Sequence, residues 1–112
     1  MNDRISHFSD EKICVAMRRH PDNDNICTVA ISRTHPADQY NRKKGRFIAV
    51  GRLDAERNFC VAMQLQEYYN WITSARDCPD IGGARDILME PFTPSEQLRT
   101  LPATVHKLHV IA

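Results

Sequence analysis

The stretch that decides the fold is Lys12-Ile-Cys-Val-Ala-Met-Arg-Arg19, followed after His20 and Pro21-Asp-Asn-Asp24 by Asn25-Ile-Cys-Thr-Val-Ala-Ile-Ser-Arg33. Both flanking runs are rich in residues that fit a pleated, half-buried surface, so each is predicted to be a strand. Between them, proline presets φ, while asparagine and aspartate tolerate left-handed geometry and bond to nearby backbone, so a hairpin is the economical connection. Alternation then puts Ile13, Val15 and Met17 on one face and Cys14, Ala16 and Arg18 on the other. One face is bulky, and the small-residue face leaves room for something to pack closely.

Beyond the hairpin, Thr34-His35-Pro36-Ala37 reads as a loop, because a residue before proline is pushed towards extended geometry. Asp38 is the predicted cap of a helix whose stripe is Tyr40, Lys44, Phe47, Ile48, Gly51 and Ala55. Gly45 and Gly51 pull against this, since each weakens a helix interior by roughly 1 kcal/mol relative to alanine. They imply either a strand over 46–53 or a close approach by another backbone, and helix is the reading retained. The string Cys-Val-Ala-Met of residues 14–17 recurs at 60–63, too short to define a repeat. Residues 64–76 carry Leu65, Tyr68, Tyr69 and Ile72 at helical spacing, with Trp71 beside the stripe, and the helix should stop before Cys78-Pro79. Asp80-Ile-Gly-Gly83 reads as a loop. Thr93-Pro-Ser-Glu96 matches a capping box opening a short helix to Leu101, and Thr104–Ile111 alternates as a final strand. The expected fold class is α+β: a small antiparallel sheet, starting with an N-terminal hairpin, packed against two or three helices.

With 112 residues the chain is expected to form a single domain over 1–112. Its 42% hydrophobic and 26% charged residues exclude wholesale disorder and collagen-like architecture. A net charge of +1 excludes both a uniformly acidic nucleic-acid mimic and a histone-like wrapper. No run approaches the roughly 18–20 apolar residues of a membrane helix, and Met1–Asp10 is no export leader, so a soluble, cytoplasmic protein with no membrane partner is expected.

Four cysteines at 14, 27, 60 and 78 form no Cys-x-x-Cys pair, and three lie in apolar runs as small buried hydrophobes, so neither a metal site nor a disulfide framework is expected. His106 and His109 lack a third ligand. The serines lack a nucleophile elbow, and Ile81-Gly-Gly-Ala84 is neither a phosphate loop nor a dinucleotide fingerprint. Accordingly no catalytic residue, cofactor or metal is expected, and the chain reads as a binder rather than an enzyme.

Charge is distributed unevenly. Residues 31–52 hold six basic and one acidic side chain, a net of +5, whereas residues 1–30 net −1 and residues 53–112 net −3. Arg33, Arg42, Lys43, Lys44, Arg46 and Arg52 thus gather near the start of a predicted helix, whose open N–H groups and dipole favour an anion. Arginine forks grip phosphate, and Tyr40 or Phe47 offers a ring on which a base can stack. With Arg18 from the small-residue face, the candidate ligand-binding set is Arg18, Arg33, Tyr40, Arg42, Lys43, Arg46, Phe47 and Arg52.

The two strands followed by Asp38-Gln-Tyr-Asn-Arg-Lys-Lys-Gly-Arg-Phe-Ile-Ala-Val-Gly-Arg52 resemble a pattern in small phage-encoded proteins, and most resemble the Thoeris anti-defence sponge family. The likeness covers residues 12–57 and rests on Asp38, Tyr40, Lys43, Lys44, Gly45, Arg46, Ala49 and Arg52. It implies a viral protein of the host cytoplasm that sequesters a small anionic cyclic-nucleotide signal without cleaving it. It also implies a homo-oligomer with pockets between subunits. The alternative expectation is an inhibitor, like an anti-CRISPR factor, docking its basic segment on a host defence protein. Nucleic-acid binding and a small hydrolase are further alternatives.

Overall fold

A computed structural model describes residues 3–56, 60–79 and 83–92. Four strands, β1 (Arg4–Phe8), β2 (Ile13–His20), β3 (Asn23–Arg33) and β4 (Cys60–Gln64), form one antiparallel sheet in the order β1-β2-β3-β4. Helix α1 (Arg42–Ala55) joins β3 to β4, and α2 (Leu65–Asp77) and α3 (Gly83–Met89) follow, ending in a 3-10 turn at Glu90–Phe92. The α+β class and its antiparallel sheet are as the sequence predicts.

The β2–β3 hairpin is the centre of the sheet. Its register sets Val15 opposite Ile31, Ala16 opposite Ala30 and Cys14 opposite Ser32, so large residues pair with large and small with small. Ile13, Val15, Met17, Val29, Ile31, Val61 and Met63 cover one face, where Tyr68, Ile72 and Ala75 of α2 and Leu88 of α3 complete the main core. Cys14, Ala16, Ala30 and Cys60 cover the other and meet Ala49 and Leu53 of α1. Both copies of Cys-Val-Ala-Met are strands flanking β3, and each turns its cysteine to α1 and its valine and methionine to the main core.

Strand β4 is an element to which the sequence reading assigned no structure, and three further elements differ from that reading. First, β1 is a strand where only a polar terminus was expected; its Ile5 and Phe8 pack on opposite faces, while Ser6 is buried. Second, α1 is capped by Asn41, whose side chain accepts from the Lys44 N–H at 3.0 Å, and not by Asp38. Its buried stripe is Gly45, Ala49 and Leu53, and the expected stripe residue Phe47 is 79% exposed. A sheet face paved with cysteine and alanine lets the helix approach closely at its small residues Gly45 and Ala49, with Leu53 filling the space beyond them, so the bulky Phe47 is not the side that packs. Third, Gly83 opens α3, where the sequence suggested only a loop. The predicted capping box at residues 93–96 with its helix to Leu101, and the strand at residues 104–111, lie outside the described residues.

Candidate functional site

Helix α1 is seated by three kinds of contact. Gly45 lies so close to the sheet that a Cβ there would stand 3.2 Å from the Cys14 Cβ and 3.3 Å from both the Ser32 Oγ and the Tyr40 hydroxyl. This is the close backbone approach that the glycine implied. The buried Ser32 hydroxyl donates to the Gly45 carbonyl at 2.8 Å, and one Arg52 Nη1–H donates to the Ile31 carbonyl at 2.7 Å. The preceding loop is fixed by Lys12, whose ammonium donates to the carbonyls of Pro36 and Asp38. Its backbone is held as well, by the Thr34 N–H bonded to the Lys12 carbonyl at 2.9 Å.

Because the buried stripe runs down one line of a 3.6-residue helix, the remaining residues of α1 fall on two flanks. Lys44, Ile48 and Arg52 form one flank. With Ser32, Arg33, His35 and Asn41 they line a cleft of about 250 Å³ between the end of β3, the loop and α1. Among the described residues Asp38 is the one carboxylate in its lining. Burial depresses the Arg52 pKa, and so does the charge of Arg33, as expected where two guanidinium groups share a small space.

The other flank carries Lys43, Arg46, Phe47, Val50, Gly51 and Asp54, which with Asp3 line a broad groove of about 860 Å³. Arg18 borders this region, fully committed to carboxylates. Its Nε and Nη2 donate to the two Asp3 oxygens at 2.8 Å each, and its Nη1 lies 2.8 Å from Asp54 Oδ1. That fork holds the Asp3 carboxyl below its ordinary value.

The eight sequence-predicted residues are therefore not gathered in one place. Arg33 and Arg52 share the cleft, Lys43, Arg46 and Phe47 share the groove, and Arg42 stands exposed at the start of α1. Tyr40 faces inward: its hydroxyl is 2.5 Å from His7 Nδ1 and 3.4 Å from the Ile13 carbonyl, and its ring packs on the small-residue core. Burial beside Cys14 raises its pKa, so it stays a neutral phenol, and it is not among the residues that line the cleft. Burial and the charges of Arg42 and Arg46 lower the His7 pKa, favouring the neutral ring beside that phenol. The sequence-level set omitted Lys44 and His35. Taking Gly45-Ala49-Leu53 as the seam would have found Lys44, because it puts 44, 48 and 52 on one line.

Among the described residues no group of three or more His, Cys, Asp and Glu side chains is placed to hold a metal, and no helix is long and apolar enough to cross a membrane. All four cysteines are outside disulfides. Burial pushes the thiol pKa of Cys27 up to about 12 and that of Cys60 up to about 11, which leaves them packing groups at neutral pH. Compared with known proteins, the chain matches no family model, no curated protein and no solved structure.

Proposed function

We propose that this protein binds a small phosphate-bearing ligand of the cyclic-nucleotide class in the cleft between β3 and α1, and holds it without turnover. The observation that carries the reading is the convergence of Arg33, Lys44 and Arg52 on one cleft of about 250 Å³. Guanidinium and ammonium donors in a confined space suit phosphate oxygens, which accept bidentate and charge-assisted bonds. The first turn of α1 has no acidic residue and begins Arg42-Lys43-Lys44, against the usual preference of a helix N-terminus for negative charge. A bound anion would relieve that repulsion. The cleft lining is rich in donors, which fits capture of an anion.

In this reading the protein acts by affinity as a phage-like anti-defence sponge, removing an anionic immune signal from the host cytoplasm. The base is not held by Tyr40, whose hydroxyl is turned inward; His35 is the ring available in the cleft. The test is calorimetric titration with a panel of cyclic nucleotides and inorganic phosphate, followed by heat release and mass measurement of the ligand. Binding with unchanged mass is expected. Arg33→Ala with Lys44→Ala should weaken it by about tenfold or more, the scale of losing charge-assisted hydrogen bonds. Lys43→Ala, on the opposite flank, should leave it within about twofold, since exposed charges off the site contribute little. Equal losses from both flanks, or release of a cleaved product, would overturn the assignment.

A further inference from the structure

The groove flank of α1 has features that the packing of the described residues leaves unexplained. Among the described residues, Phe47 is the large apolar side chain that stands exposed, at 79%. One turn along the same helix, Gly51 has none of the described residues within 4 Å of where its Cβ would be. Unlike Gly45, it is not required by any contact with the described residues, although a glycine in a helix interior weakens the helix. The flank is also electrically polar: Lys43 and Arg46 mark its N-terminal half and Asp54 its C-terminal half.

We propose that this flank is a two-fold docking surface for a second copy of the same chain, through antiparallel pairing of the two α1 helices. The six residues on the flank are symmetric about the midpoint between Ile48 and Ala49. A two-fold axis there sets Lys43 of one copy against Asp54 of the other, Phe47 against Val50, and Arg46 over the open surface at Gly51. A contact in which the same patch serves both subunits must be self-complementary in this way, and each pairing is made twice. The absence of a side chain at Gly51 admits the stem of Arg46, and Phe47 finds apolar cover. The N-terminal cations of one helix come to lie beside the C-terminal end of its partner, where the helix dipole favours them. Asp54 keeps an oxygen for the partner, because its ion pair with Arg18 uses Oδ1 and its side chain is 63% exposed. A foreign acidic surface would satisfy Lys43 and Arg46 but would be repelled by Asp54 and would leave the bare surface at Gly51 unexplained. The interface is independent of the cleft on the opposite flank.

Sedimentation equilibrium of the full chain across the micromolar range tests the proposal. One helix per subunit makes a small interface, so a dimer dissociating in the micromolar range is expected. Lys43→Glu sets like charges against Asp54 twice, and Asp54→Lys sets like charges against Lys43 twice; each should weaken self-association by about tenfold. An equimolar mixture of the two variants pairs Glu with Lys at one site and Asp with Lys at the other, and should restore the dimer. Arg18 retains Asp3 in either variant, and circular dichroism checks the fold. Should Asp54→Lys fail to fold, Phe47→Asp takes its place, with the same loss of association expected. A wild-type chain that stays monomeric throughout, a dimer indifferent to these changes, or variants that do not recover on mixing would overturn the proposal.

Discussion

The two faces of the sheet are built on opposite principles. On one, bulky β-branched and long side chains meet Tyr68, Ile72 and Leu88 across a thick apolar layer. On the other, cysteines and alanines meet Gly45, Ala49 and Leu53, and the helix comes down almost onto the strands. Tolerance follows layer thickness. The thick side contributes most of the buried apolar area and hence most of the stability. The thin side contributes position: it fixes α1 against β3 closely enough for hydrogen bonds from Ser32 and Arg52, and so sets where the basic side chains point.

Removing volume from the thick side should have the largest effect. Ile72→Ala leaves a cavity among buried residues and should cost about 2–5 kcal/mol in urea denaturation, without moving the cleft residues. A smaller loss would mean that α2 can settle into the gap.

The two glycines of α1 sharpen the contrast, because the same change should have opposite signs about 9 Å apart along one helix. At Gly45 a methyl group meets the Cys14 Cβ, which is fixed to a central strand and cannot rotate away. Overpacking of roughly 1–3 kcal/mol should outweigh the roughly 1 kcal/mol gain in helix propensity, so Gly45→Ala is expected to destabilise the chain and weaken anion binding. At Gly51 none of the described residues intervenes. Gly51→Ala should therefore stabilise the monomer by about 0.5–1 kcal/mol, measured in dilute solution by thermal unfolding. Loss of stability at Gly51, or gain at Gly45, would reverse the assignment of which side of α1 is packed.

The smallest effect concerns the ion pairs that tie the edge of the thin side together. Asp3 titrates below its ordinary value of 3.8, chiefly through its hydrogen bond to Arg18. The unfolded chain therefore takes up this proton at higher pH than the folded one. The stabilisation is fully present above the ordinary value and is lost as the pH falls through the lowered folded value. Asp3→Asn should flatten this part of the acid unfolding curve and cost about 1 kcal/mol or less at neutral pH, since the pair lies near solvent. An unchanged acid limb would show that Arg18 is held by Asp54 alone.

The errors in reading the site follow from the same contrast. The alternation in residues 13–17 reveals one bulky and one small-residue face, and the small face announces that a helix will approach closely. The phase of that helix is not legible in the sequence, because bulky Phe47 and Ile48 mark a stripe that would be buried on a thick layer. On a thin one, Gly45-Ala49-Leu53 is the seam, which turns Arg52 to the flank beside Arg33 of β3 and turns Arg46 and Phe47 to the other. Strand β1 was missed because its partners, at Ile13–Met17, are what make Arg-Ile-Ser-His-Phe a strand; pairing at an edge is weakly encoded in a five-residue run.

Local chemistry in the sequence thus determined the hairpin, the α+β class, the amphipathic α2 and the concentration of positive charge in residues 31–52, since turn residues, side-chain periodicity and charge counts need no knowledge of distant contacts. Only the tertiary structure decided which line of α1 is buried, that Tyr40 turns inward to His7, and that the cations divide between a cleft and a groove. Those outcomes depend on how closely two surfaces approach, and the depth of a contact is a property of the pair of surfaces that neither segment carries alone.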